Sequence, residues 1–283
     1  MRASLLALAT AALAATPLVA TPLAAQRDAE DWLERCRMQR SDGRSRNRDD
    51  DDRRREKYCE VRRNGMRPTG RSIVVDAREN GGIAVRGWDR DSISIEVRIQ
   101  THAGSQSEAR ELADRIRVEA SGDAIHAEGP SRERDGSWAV SYEIMVPRRS
   151  SLTLDTHNGP LAVEGVNGTM ELRAHNGPLA LSDVGGDVRA RTTNGPLSID
   201  LGGSRWEGRG LDAETTNGPV TLALPENYSA QLETGTVNGP MRVGFPITIQ
   251  GRLTQRIRTE LGSGGPPVRA VTTNGPAVIT RRQ

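Results

Sequence analysis

Aromatic side chains are nearly missing from this chain: 3% of 283 residues, with one Phe, three Tyr and four Trp. Such rings dominate ordinary cores, so a thick globular core is excluded and order must come from small aliphatic residues packed repetitively. Lysine is scarcer still. Lys57 is the only one, and Arg supplies the rest of the 39 basic residues. The 37 acidic residues are interspersed with them and the formal net charge is +2, so no electrostatic footprint for nucleic acid is present. No Gly-x-Ser-x-Gly, His-Glu-x-x-His or phosphate-loop motif occurs. Beyond the N-terminal stretch no run is apolar enough to span a bilayer, so no transmembrane segment is expected once that stretch is removed.

What is there begins with MRASLLALATAALAATPLVATPLAAQRD. Arg2, an apolar run from Leu5 to Ala15 and small residues at Ala24 and Ala25 predict a signal peptide over 1–25. The mature protein is then expected in the periplasm or outside the cell. In that setting the only two cysteines, Cys36 and Cys59, predict a disulfide. Residues 26–70 are strongly charged, with Asp49–Asp52 flanked by Arg, and read as a flexible segment whose loop the disulfide closes. A calcium loop would need spaced ligands and a Gly turn, and this run has neither.

From Ser72 short alternating stretches replace the charge runs: Val74-Val75, Ile83/Val85 and Ile93/Ile95/Val97/Ile99. One segment breaks the alternation. Ala109, Leu112, Ala113 and Ile116 share a helical face, which predicts one short helix over about 105–116 capped by Ser105 or Ser107.

The strongest signal is a repeat. Asn-Gly-Pro begins at Asn158, Asn176, Asn194, Asn217, Asn238 and Asn274, at spacings of 18, 18, 23, 21 and 36 residues. The last spacing is twice the first, which reads as one coil that has lost the motif. Six residues before each Asn stand Leu152, Met170, Val188, Leu211, Leu232 and Val268. Three after it stand Leu161, Leu179, Leu197, Val220, Met241 and Ala277. Apolar residues therefore alternate with outward ones and recur at the coil period. That pattern predicts an all-β, single-domain β-solenoid over 71–283, right-handed, with coils of about 18–23 residues.

Asn-Gly commonly makes a hairpin turn, but the following Pro has no N–H to return across it. The Asn shares the parity of the inward residues, so it is expected at an inside corner, its amide bonding the Asn one coil away. Gly would supply the unusual backbone angles of that corner. A second corner is expected at Asn167-Gly168 and Gly185-Gly186, and an earlier coil at Asn80-Gly81 with Ile83, Val85 and Trp88.

Several stretches resemble a known family: VPRRSSLTLDTHNGPLAV, the TTNGP units, LGSGGPPVRAVTTNGPAVIT, CEVRR at Cys59 and NGGIAVRGWDRD around Trp88. They are similar to bacterial exported β-strand-repeat proteins of a domain of unknown function labelled "putative adhesin". The resemblance covers about residues 58–283. It implies a toast-rack-like β-solenoid of the kind found near envelope-stress systems, and it carries over no functional residue. Members often lack the Pro that follows Asn-Gly here.

Chemistry is sparse. Among His102, His126, His157 and His175, the last two fall in one outward column, where Thr193 and Thr216 offer no third ligand. A solvated ladder is expected there, with no metal and no cofactor. Outward acids face Arg in the next coil, Glu171 with Arg189 and Asp155 with Arg173, which reads as surface ion pairs rather than catalytic carboxylates. Trp88, Trp138 and Trp206 read as caps or core plugs. One outward column, Ala162, Ala180, Ser198 and Thr221, is flat and small and is the candidate binding strip. The expected function is a non-catalytic, adhesin-like scaffold at the cell envelope, its partner an envelope protein or a glycan. An accessory or sensor protein of an envelope-stress response and a polysaccharide-active enzyme are the alternatives.

Overall fold

The computed structural model describes residues 23–38, 55–131, 136–244 and 255–282. Residues 1–22 of the expected leader and the run Asp49–Asp52 lie outside the described residues. The chain enters through helix α1 (Leu23–Met38) and strand β1 (Glu56–Met66). Next come β2 (Ile73–Asp76), β3 (Ile83–Trp88), β4 (Ile93–Ala103), helix α2 (Gln106–Asp114), β5 (Arg117–Ser121), β6 (Ala124–Glu128) and β7 (Gly136–Pro147). The Asn-Gly-Pro repeats then supply two strands each. They are β8 (Leu152–Asn158) with β9 (Leu161–Glu164), β10 (Asn167–Asn176) with β11 (Leu179–Ser182), and β12 (Gly185–Asn194) with β13 (Leu197–Asp200). They continue as β14 (Gly210–Asn217) with β15 (Val220–Leu224) and β16 (Ala230–Asn238) with β17 (Met241–Val243). After β18 (Arg256–Leu261) the last pair is β19 (Pro267–Asn274) with β20 (Ala277–Arg281).

The architecture is all-β, in two ten-stranded sheets. The first sheet runs β1-β4-β7-β3-β9-β11-β13-β15-β20-β17, and the second β18-β16-β19-β14-β12-β10-β8-β2-β6-β5. Each repeat gives its leading strand to the second sheet and its trailing strand to the first, parallel to its neighbours. The columns seen in the sequence meet in register: Leu152, Met170 and Val188 face one another across three strands, as do Leu161, Leu179 and Leu197. All six are buried. Aliphatic side chains of like size, one per column, fill the space between the sheets, and that explains how so few aromatics suffice.

The strands do not stack in chain order. The 36-residue spacing does not hide a coil that has lost the motif. β19 lies between β14 and β16, β20 lies between β15 and β17, and β18 pairs antiparallel with the outer side of β16. The chain thus leaves one place open, builds the coil beyond it, turns back and fills the gap. The other end repeats the device, since β2 is held between β6 and β8, and β3 between β7 and β9. The first and last repeats are therefore interior. Their backbone groups pair on both sides instead of standing at an edge.

The N-terminal part also departs from expectation. Residues 26–70 are not a flexible segment throughout, because α1 and β1 are both ordered. Ala29 and Cys36 are buried, Cys36 is bonded to Cys59, and β1 pairs with β4 over eleven consecutive residues. Charge hid the strand: Arg62 is held inside by donating to the carbonyls of Ala113 (3.0 Å) and Ile116 (2.6 Å), besides pairing with Glu60. The predicted helix is α2, capped by Ser105 in a capping box with Glu108, with Ala109 and Ala113 buried. Among the described residues no helix is long and apolar enough to cross a membrane.

Candidate functional site

The outer face of the second sheet is saturated with charge. Asp212 accepts from Arg191 and, at 2.6 Å, from Arg269, and Arg269 also reaches Glu214 at 3.2 Å. Glu233 takes Arg258 at 2.8 Å. Burial alone would raise the Asp212 carboxyl, but Arg191 and Arg269 hold it below the usual carboxylate range. Glu171 pairs with Arg173 of its own strand rather than with Arg189, which faces it across the ladder. Where Arg191, Arg258 and Arg269 already answer Asp212, Glu214 and Glu233, that part of the face has little charge left to offer a partner.

At the corner between the sheets the Asn side chains form a continuous ladder. The Nδ2 of Asn176 donates to Asn158 Oδ1 at 2.9 Å, Asn194 to Asn176 at 2.8 Å and Asn217 to Asn194 at 2.8 Å. Asn274 donates to Asn217 at 2.8 Å and Asn238 to Asn274 at 2.9 Å, so the spatial order again places 274 before 238. At the opposite end Asn158 donates to Asn80 at 3.3 Å.

This ladder is on the outside, not at an inside corner. Strand alternation stops at the buried Thr two residues earlier, and in β8 both His157 and Asn158 then point to solvent, because the chain bends there. The buried Thr takes the inner role: Thr156, Thr192, Thr215 and Thr272 each donate from Oγ1 to a Gly carbonyl of the neighbouring coil. The following Gly is required by close approach more than by unusual angles. A Cβ on Gly177, Gly195 or Gly239 would run into the carbonyl of the Gly in the adjacent coil. His157 and His175 stack with ring centroids 4.6 Å apart. Among the described residues no three His, Cys, Asp or Glu side chains gather as a metal site.

The outer face of the first sheet is different. Ala162, Ala180, Ser198 and Thr221 stand in one register column, prolonged by Ala84 on one side and Val278 on the other. Six uncharged residues in a row at a strand spacing of ~4.8 Å make a strip about 24 Å long. A shallow groove of about 390 Å³ opens over it, bordered by Glu164, Ser182 and Asp200. Beyond Ala84 the same column continues through Glu143, Glu96 and Arg63, and beyond Val278 it meets Arg242. The strip therefore ends in charge at both ends.

Two features of this groove were not foreseen. Arg282 ties its border together, donating to Asp183 Oδ1 at 2.5 Å and to the Leu201 carbonyl at 3.1 Å, with its Nε 3.1 Å from Asp200 Oδ1. Helix α1 lies on the same face. Its Asp28 acts electrostatically on Glu143 of β7, its Trp32 ring lies 5.8 Å from the Arg98 guanidinium on β4, and Cys36 is bonded to Cys59 of β1. The helix is thus fixed on β1 and reaches Arg98 of β4 on this outer face. Burial raises the Glu143 carboxyl there, against the pull of Arg98. Only the strand order could have found these residues, since they are far apart in the chain.

Trp206 is buried, its Nε1 donating to the Gly186 carbonyl, so it is a core plug. Trp138 borders a second cavity of about 580 Å³ with Arg78, Asn80 and Pro130, and its Nε1 donates to the Pro130 carbonyl at 2.9 Å. Trp88 Nε1 donates to the Ser92 carbonyl at 2.8 Å.

The chain is similar to solved structures described as adhesins. A "putative cell adhesion protein" from Clostridium sporogenes matches 81% of this chain and 100% of its own at 10% identity, with a TM-score of 0.42. A "putative adhesin" from Bacteroides fragilis matches 79% of this chain and 97% of its own at 11% identity, with a TM-score of 0.30. A protein from Parabacteroides distasonis described as lipid-binding matches 80% and 97% at 10% identity, with a TM-score of 0.26. No family model and no curated protein matches the sequence.

Proposed function

We propose that this chain is an exported, non-catalytic β-solenoid that uses the outer face of its first sheet to hold an uncharged glycan strand at the cell envelope, in the manner of an adhesin. The single observation that carries this reading is the contrast between its faces. One is filled with answered ion pairs, and the other keeps an uncharged strip about 24 Å long with a groove over it. The neighbouring corner offers an exposed amide from each coil, a repeat suited to the repeated hydroxyls of a glycan. The parallel in-register coils support the solenoid reading. The Cys36–Cys59 disulfide supports export to an oxidising compartment.

The test is a glycan array, with envelope polysaccharide as a second ligand, applied to the wild type and to Ala180→Arg. The exposed Ala180 side chain tolerates Arg without loss of fold, so binding should fall roughly tenfold or more while the melting temperature stays put. Binding that ignores Ala180→Arg would remove the strip from the argument. Binding only to envelope protein would overturn the glycan, and sugar release from a polysaccharide panel would replace the scaffold by an enzyme.

A further inference from the structure

Among the described residues the two sheets have four terminal strands, and they are unlike. β17 has three residues, β5 five and β18 six. The last two carry charges at exposed places, Arg117 and Glu119 on β5 and Arg256, Arg258 and Glu260 on β18. Short length and charge are how proteins protect an open edge from pairing. β1 is not protected by short length, and of the charges in its middle Glu60 and Arg62 answer each other within the strand. It is eleven residues long, pairs with β4 without a bulge, and is half-buried or buried from Lys57 to Arg62. Among the described residues β4 is its only strand neighbour. Helix α1 lies on one face of it and α2 reaches it on the other, so both layers that would cover an added strand are already at hand.

We propose that β1 pairs antiparallel with β1 of a second copy of this chain, about a two-fold axis through Val61. A two-fold axis perpendicular to the sheet requires residues of the same face to meet, so the axis must pass through a residue. An axis at Val61 sets Glu60 opposite Arg62 of the second copy twice, Val61 opposite Val61, and Tyr58 opposite Asn64. An axis at Glu60 sets Glu60 on Glu60 and Lys57 on Arg63. An axis at Arg62 sets Arg62 on Arg62. Like charges directly opposite destabilise a strand pair, so one register is selected by charge complementarity.

Glu60 and Arg62 lie 2.7 Å apart within one chain, and the pairing turns two such pairs into a ring of four alternating charges. In this register each Cys59 faces Arg63 of the second copy. The two disulfide-anchored helices then stand four residues apart, ~14 Å along the strand, which exceeds the ~8–10 Å between packed helix axes.

The experiment is sedimentation of the oxidised chain across micromolar concentrations, for the wild type, Glu60→Arg and Val61→Arg. A dimer is expected for the wild type. Each variant places like charges at or beside the axis, so the dimer should weaken roughly tenfold or more; Val61→Arg, which leaves the Glu60–Arg62 pair in place, should do so with no change in the monomer's melting temperature. A wild type that remains monomeric, or a dimer indifferent to both Glu60→Arg and Val61→Arg, overturns the proposal. Neither result touches the glycan reading, whose strip is on other strands.

Discussion

Replacing Gly195 by Ala should damage this protein more than removing the amide beside it. A Cβ at Gly195 would stand 2.5 Å from the Gly177 carbonyl carbon and closer still to its oxygen, where ordinary contact begins near 3.4 Å. The two coils must therefore part locally by about 1 Å from a strand spacing of ~4.8 Å. Three hydrogen bonds converge on that place. The Gly195 N–H donates to Asn217 O at 2.9 Å, the Gly177 N–H to Asn194 O at 3.0 Å, and Thr192 Oγ1 to Gly177 O at 3.0 Å. Overpacking costs ~1–3 kcal/mol, and weakening these bonds adds about 1 kcal/mol or more.

A loss of about 3 kcal/mol follows, or ~6–12 °C in melting temperature for a chain of this size. Asn194→Ala removes two exposed amide bonds, each 2.8 Å long. Water replaces them, so the loss should be only about 1 kcal/mol. Urea titration of both variants beside the wild type measures the difference. If Gly195→Ala cost no more than Asn194→Ala, the close approach of successive coils would be wrong.

Reduction of Cys36–Cys59, or Cys59→Ser, should release α1 and lower stability by roughly 3 kcal/mol on the chain-entropy account; new protease cuts within 23–38 would report it. Arg269→Ala should lower stability by about 1 kcal/mol, because its partners are partly screened by solvent, and the loss should shrink in molar salt in a titration series. Burial, with help from Lys57 and Arg55, holds the His102 imidazole below its ordinary value of 6.5. The unfolded chain therefore takes up that proton first as the pH falls through 6.5, so stability drops on acidification and His102→Gln should flatten this part of the pH profile in thermal melts.

Much of the repeat was legible because its demands are local. A residue two places before the Asn must be small enough to enter the core, and at Thr156, Thr192, Thr215 and Thr272, though not at Thr236, its hydroxyl also reaches the neighbouring carbonyl. Helix α2 was legible for the same reason, since its cap and apolar face lie within twelve residues. The inside placement of the Asn failed because parity was extended one step past the point where the chain bends. β1 was missed because Arg62 enters a half-buried place only with the help of α2 carbonyls more than fifty residues away. The strip was visible as a column, but Arg282 as the clamp of its border was not.

The sequence alone determined which residues meet within a coil and which lie on its surface, because each coil must satisfy the same two faces and does so with its own residues. It did not determine which coil lies beside which. Coils with matching columns are interchangeable neighbours, so nothing local marks β19 as belonging between β14 and β16, or β2 as belonging between β6 and β8. That choice was made by the folded chain, where placing both terminal repeats inside the stack pairs backbone groups that an edge would leave open.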